Sequence, residues 1–296
     1  DPRVIRPVSL GGYGMDAQWS DDFHHALHTV LTGERNGYYA DFGSLDHLVK
    51  AVTRGFVYDG RYSRYRERRH GRPLEGVTGR QLLGFLQNHD QIGNRARGDR
   101  SSHLLNPGRL KIGAALVMTA PFIPLLFQGE EWAATTPFQY FTQHEDPALA
   151  RAVSAGRRHE FARFGWDPVE IPDPQDPATF ENSKLDWDGR ASALGAEMLA
   201  WHRALIRLRR AIPALLDGRL DRVRARAEAD RFEMERGPVR VLVNLGPRPF
   251  AAPLRVGEGL LLASFPAGSR LELPPDSVAI LGNTADPAVR AWLAAQ

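Results

Sequence analysis

Cysteine is absent from the 296-residue chain. That one gap removes a disulfide scaffold, a thiolate metal centre and a cysteine nucleophile together. Long apolar runs are missing as well. No uninterrupted stretch reaches the roughly 20 residues of a membrane span, and no basic region followed by an apolar one opens the N-terminus. Neither a Gly-rich phosphate loop nor a Gly-x-Ser-x-Gly elbow occurs, so the kinase and esterase classes fall away. Charge of one sign is scarce: the formal net charge is +3, and the arginines are spread along the chain instead of forming a block. Nucleic acid is therefore not the expected partner, nor is a membrane, and the expected compartment is the cytoplasm. Internal repeats and low-complexity segments are also lacking.

What is present suits a globular protein of about two domains, with 43% hydrophobic and 25% charged residues. "DDFHHALHTVLT" (21–32) sets Phe23, Leu27, Val30 and Leu31 at helical spacing and stops at Gly33. Leu45 to Phe56 repeats the pattern. The Arg/Tyr-rich stretch that follows, "YDGRYSRYRERRHGRPLEG", reads as a solvated loop. "LLGFLQ" and "FIPLLFQGEEW" read as buried strands flanking the helix "RLKIGAALVMTA", the repeat of an α/β fold with a parallel sheet. Both strands turn polar at their C-terminal ends, the edge where chemistry sits in such folds. From 140 to 190, Asp-Pro and Pro-Asp dipeptides suggest an extended excursion. A helix is expected from Glu197 to Ile212. After Pro213, short runs such as "RFEMER", "VRVLVNLG", "GLLLASF", "SRLELP" and "SVAILG" indicate an antiparallel β domain. The expected domains are therefore 1–212 and 213–296.

Three segments concentrate chemistry. In "FLQNHDQIGN", Asn88, His89, Asp90, Gln91 and Asn94 follow a buried strand. They either cap a helix or form a binding edge for a ligand with many hydroxyls. Asp21, Asp22, His24 and His25 open a helix, where acids suit the macrodipole or bind a sugar. His24 and His28 lie one turn apart, but His25 stands where a zinc-peptidase motif needs glutamate, so no metal is expected. Glu130, Glu131 and Trp132 either cap the sheet or act as an acid/base beside an aromatic platform.

Together with "GGYGMDAQWSDDFHHALHTVLTGE", "YYADFGS", "PLLFQGEEW" and "FENSKLDW", the segment "FLQNHDQIGN" resembles the maltooligosyltrehalose trehalohydrolases of the α-amylase superfamily. The resemblance covers most of the chain. It implies a (β/α)8 barrel followed by an antiparallel β domain, of which this chain holds strands six ("MDAQWSDD"), seven ("LLGFLQNHD") and eight ("FIPLLFQGEE"). It also implies retaining hydrolysis of the α-1,4 bond next to a terminal trehalose unit of maltooligosyltrehalose, without a cofactor. Asp90 matches the family's transition-state-stabilising aspartate. Trp19, Asp21, Asp22, His24, His25, His89, Gln91 and Asn94 are the expected substrate-binding residues. The family's nucleophilic Asp and acid/base Glu have no match here, and Asp1, which is not preceded by a methionine, is expected to fall just beyond the acid/base. The upstream half of the barrel is thus an expected partner, beside the α-1,4-glucan substrate. A glucan branching enzyme, or a non-catalytic carbohydrate-binding chain, is the alternative.

Overall fold

The computed structural model describes residues 1–162 and 171–295. In chain order these hold β1 (Gln18–Trp19), α1 (Asp21–Thr32), α2 (Leu45–Arg54), β2 (Asp59–Ser63), β3 (Arg68–Gly71), β4 (Leu82–Gly84), α3 (His89–Gly93), α4 (Ser101–Leu104), α5 (Pro107–Thr119) and β5 (Ile123–Pro124). There follow α6 (Pro147–Ala162), α7 (Pro177–Glu181), α8 (Ala193–Ala211), β6 (Val223–Glu228), β7 (Arg231–Arg236), β8 (Val239–Asn244), β9 (Phe250–Ala251), β10 (Glu258–Ala263), β11 (Glu272–Leu273), β12 (Ser277–Asn283) and α9 (Pro287–Ala294). Two compact units result. The first comprises Asp1–Leu86, Pro107–Leu125 and Ala200–Gln296, and the second comprises Gln87–Asn106 and Leu126–Leu199.

In the first unit β1, β4 and β5 form a parallel sheet in the order β1-β4-β5, with Trp19 beside Leu83 and Leu83 beside Ile123. Parallel neighbours need crossovers, and here α1 with α2, and then α5, supply them. The α1 helix runs as its spacing predicts. Phe23, Leu27 and Leu31 are fully buried, and Gly33 at φ 82° ends the helix with its N–H on Thr29 O. Phe23 meets Phe122 edge-on at 5.1 Å, fastening α1 under the sheet.

The antiparallel sheet, in the order β10-β12-β8-β7-β6, belongs to this same unit. All six residues of β8 are buried, because the strand is central and covered on both faces. Leu242, Ala252, Leu271, Leu273, Ala279 and Leu281 form one of its cores. Two arginines gather at the end of α5, which packs on β12: the buried Arg236 of the sheet and Arg209 of α8. A helix leaves its last carbonyls without intrahelical partners, and here guanidinium groups collect them. Arg209 donates to Met118 O (2.6 Å), Ala120 O (3.1 Å) and Phe122 O (2.7 Å). Arg236 of β7, only 2% exposed, donates to Thr119 O (2.6 Å), Ala214 O (3.0 Å) and Asp217 O. Burial lowers both guanidinium groups to about 10, which leaves them cationic at neutral pH.

Several expectations need correction. The Arg/Tyr stretch is a hairpin and not a loop: β2 pairs with β3, and Asp41 pins the turn by accepting from Tyr58 OH (2.8 Å), Ser63 OH (2.5 Å) and Arg64 N–H (2.8 Å). The run "FIPLLFQ" yields only the two-residue β5, with Ile123 exposed, because that strand has a single neighbour. The 140–190 excursion contains α6 and α7; its residues 163–170 lie outside the described part. The helix expected from Glu197 begins at Ala193, and β6 and α9 were not anticipated.

Candidate active site

Within the first unit, the residues that open α1 form a packed polar cluster. Asp22 Oδ2 accepts the N–H groups of Val57 and Tyr58, both at 2.7 Å, so this carboxylate anchors the chain after α2. Burial raises it to about 6, against those two hydrogen bonds. His24 is 1% exposed. Its Nδ1–H donates to Leu86 O (2.8 Å), which leaves Nε2 to accept from the Tyr39 hydroxyl (2.9 Å). Its ring stacks on Phe85 at 5.3 Å. Neither nitrogen remains for a sugar, so direct binding by His24 is corrected to an anchoring role at the end of β4. His28 Nε2 meets Glu34 Oε2 at 2.7 Å, so the histidines one turn apart direct nitrogens to separate partners.

His25 is buried and stacked on Tyr38 at 5.1 Å, with no hydrogen bond to Nδ1. Burial, then His28 and Arg66, depress it to about 3, so it stays neutral. His24 is likewise held well below the ordinary histidine range, by burial and by the neighbouring His28 and His25. Asp21 is exposed. Trp19 is partly exposed and meets Phe85 edge-on at 6.3 Å.

Within the second unit, "QNHDQ" does two jobs at once. Asn88, almost wholly buried, caps α3: its Oδ1 accepts from Asp90 N–H (2.8 Å) and Gln91 N–H (3.3 Å). The Asp90 side chain itself is 56% exposed, with His89 Nε2 at 3.5 Å from Oδ1. Cap and presented carboxylate, alternatives in the sequence, coexist because they are different residues of one turn. At the far end of α3, Arg157 donates to Asn94 Oδ1 (3.2 Å) and to Gly93 O, and its guanidinium lies over Tyr140 at 4.8 Å. The unit thus brings together His89, Asp90, Gln91 and Asn94, as expected of one turn. It adds Gln87, Arg100 and Arg157, which pattern reading missed. Only the placement of Gln87 beside Asn88 hinted at the first of these.

A backbone-fixed, solvent-facing carboxylate beside an imidazole can accept hydrogen bonds from vicinal hydroxyls and stabilise positive charge. Among the described residues, no group of three or more His, Cys, Asp or Glu side chains is arranged to hold a metal ion.

Comparison with known proteins gives the following likenesses. Residues 213–280 match the family model described as Domain of unknown function (DUF3459). The malto-oligosyltrehalose trehalohydrolase of Arthrobacter ramosus is 50% identical over 91% of this chain and 47% of its own length. That of Rhizobium sp. (strain M-11) is 47% identical over 95% of this chain and 48% of its own. A crystal structure from Salmonella typhimurium, described provisionally as an alpha amylase, superposes with a TM-score of 0.79 at 35% identity, over 90% of this chain and 46% of that one. A pullulanase from Anoxybacillus shares the fold at 13% identity, with a TM-score of 0.54 over 90% of this chain and 35% of that one. The chain spans about half the length of the curated relatives it matches. Over that span its sequence is similar to those of the malto-oligosyltrehalose trehalohydrolases.

Proposed function

We propose that this chain supplies the transition-state-stabilising carboxylate, Asp90, to a retaining glycoside hydrolase that cleaves the α-1,4 bond next to the terminal trehalose unit of maltooligosyltrehalose. The observation that carries the reading is the Asn88 cap: it fixes the backbone of Asp90 while leaving the carboxylate open to a ligand. As the sugar ring flattens towards an oxocarbenium ion, its hydroxyls become better donors, so a fixed acceptor gains most in the transition state.

A retaining mechanism also needs a nucleophile and an acid/base about 5 to 5.5 Å apart, and Asp90 cannot fill both roles. The likeness to the trehalohydrolases implies that residues outside this sequence supply them, with β1, β4 and β5 as strands six, seven and eight of the barrel. Residues 1–212 and 213–296 are its two sequence modules, a division supported by the family match that starts at 213. Trp19, Asp21, His25, His89, Gln91 and Asn94 are the proposed sugar contacts, each from its own unit. A cytoplasmic site of action is part of the same proposal.

The test is Asp90→Asn in a full-length protein carrying this chain. The expected outcome is a kcat lower by about 10³-fold or more with a much smaller change in KM, as follows when an interaction exists only in the transition state. An unchanged kcat would remove Asp90 from the chemistry. Product analysis with maltooligosyltrehalose separates trehalose release from the glycosyl transfer of a branching enzyme.

A further inference from the structure

Helix α3 carries Asp90 near its start, and its end is gripped by a side chain from another element. With 5 residues it is far too short to be stable by itself, so the place of Asp90 depends on what holds the helix. At the N-terminal end the hold is the Asn88 cap. At the other end the Asn94 N–H donates to Asp90 O (2.9 Å), which joins residue 94 directly to the backbone of Asp90. Arg157 of α6, 9% exposed, takes that end in a fork: Nη1 donates to Asn94 Oδ1 (3.2 Å) and Nη2 donates to Gly93 O. A run of hydrogen bonds therefore leads from the Arg157 guanidinium through Asn94 to Asp90, all inside the second unit.

We propose that Arg157 is a positioning residue for Asp90, holding the far end of α3 so that the near end presents the carboxylate in one place. The proposal rests on the reading of Asp90 given above.

The 140–190 excursion gives Arg157 a fixed base. The guanidinium lies over the Tyr140 ring at 4.8 Å. One turn earlier on α6, Ser154 Oγ–H donates to Asp173 Oδ1 (2.6 Å), which also accepts the Gln175 N–H (3.0 Å). Gln175 in turn donates from Nε2 to Thr142 Oγ1 and accepts the His144 N–H (3.1 Å), just beyond Tyr140. Arg157 and the ring beneath it are thus fastened to the same stretch, 173–175. Lysine at this position would keep the charge but not the fork, because an ammonium on a flexible stem is a single point of charge. With Asn94 Oδ1 taken by Arg157, the exposed Asn94 side chain turns only its NH2 donor to a sugar. Without Arg157, Gly93 O loses its donor, the end of α3 frays, and Asp90 moves with it. A misplacement of about 1 Å is enough to cost about 10²-fold in rate.

The experiment measures kcat and KM on maltooligosyltrehalose in a full-length protein carrying this chain, as wild type, Arg157→Met, Arg157→Lys, Asp90→Asn, and Asp90→Asn combined with each Arg157 variant. Arg157→Met is expected to lower kcat by about tenfold or more with KM changed far less, and Arg157→Lys to lie within about threefold of it. In the Asp90→Asn background the same changes are expected to cost less than about twofold, because no carboxylate remains to be positioned. A residue that merely supports the fold would lower kcat by one factor in both backgrounds. If Arg157→Met does not fold, Arg157→Lys in the two backgrounds decides. Wild-type kcat in either Arg157 variant, or an equal loss with and without Asp90, would overturn the proposal. In that case a crippled Asp90→Asn leaves the reading of Asp90 standing, whereas an unchanged Asp90→Asn overturns both.

Discussion

Replacing Arg236 by methionine removes the guanidinium from Thr119 O, Ala214 O and Asp217 O while keeping most of the side-chain length. A hydrogen bond from a charged donor contributes about 1.5 to 3 kcal/mol net, so three such bonds amount to very roughly 4 to 9 kcal/mol. Against that stands relief from desolvating a buried cation, several kcal/mol. The difference resembles the cost of breaking a buried polar cluster by removing one partner, about 3 to 5 kcal/mol, because three carbonyls are left without their donor. In a unit of about 200 residues each kcal/mol moves Tm by roughly 2 to 4 °C, so the melting temperature is expected to fall by about 10 °C or more. Calorimetry or circular dichroism of both proteins in one buffer measures it. Arg226→Met serves as the control: this exposed arginine pairs with Glu233 at 2.7 Å in solvent and is expected to cost less than about 1 kcal/mol. Arg236→Met melting within about 3 °C of wild type, a loss near 1 kcal/mol, would refute the claim that guanidinium groups secure the end of α5.

Acid should weaken the fold through His25. Its value is depressed to about 3, so it favours the native state fully above pH 6.5 and progressively less as pH falls towards 3, by at most about 5 kcal/mol. Urea midpoints from pH 7 to 4 should fall in wild type and fall less in His25→Gln; parallel slopes would exclude His25 as the cause. Gly71→Ala should cost about 2 kcal/mol or more, because φ is +76° and a Cβ would stand 1.8 Å from Tyr58 O. A wild-type melting curve would mean that the hairpin yields there. The 296-residue chain alone is expected to self-associate at micromolar concentration, since β1 and β5 each have one neighbour and Val8, Leu10, Tyr13, Met15 and Ile123 are exposed. A single monomer peak in light scattering at high concentration would count against it.

How much of this was legible in the sequence depends on how far each interaction reaches. The limits of α1 follow from residues within one or two turns, Phe23 to Leu31 and then Gly33, and they were read correctly. The same pattern could not say that His24 spends its nitrogens on Leu86 and Tyr39, 62 and 15 residues away. The β2–β3 hairpin was missed for a similar reason: Arg-rich composition argues for solvent, while its turn is held by Asp41, which lies outside it. In "FIPLLFQGEEW" hydrophobicity was read as a buried strand, yet Ile123 is exposed and Pro124 to Phe127 are only partly buried. Nor does "GEEW" reveal which of its two acids turns inwards: Glu130 is buried and Glu131 only partly so. Asn88 and Asp90 were legible as a pair of possibilities, and the local geometry of a cap allowed both.

The arginine clasp on α5 has a consequence in time. Translation completes α5 at Thr119, yet its guanidinium donor Arg236 is made 117 residues later. At about 5 to 20 residues per second that interval is on the order of 6 to 23 seconds, long compared with the microseconds in which a helix forms. Arg209, 91 residues after Met118, reaches the helix end first, and the Thr119 carbonyl waits longest for its donor. On the ribosome, then, the end of α5 is completed by a segment made long after it, and a protein truncated before β7 would lose that closing step along with its final sheet.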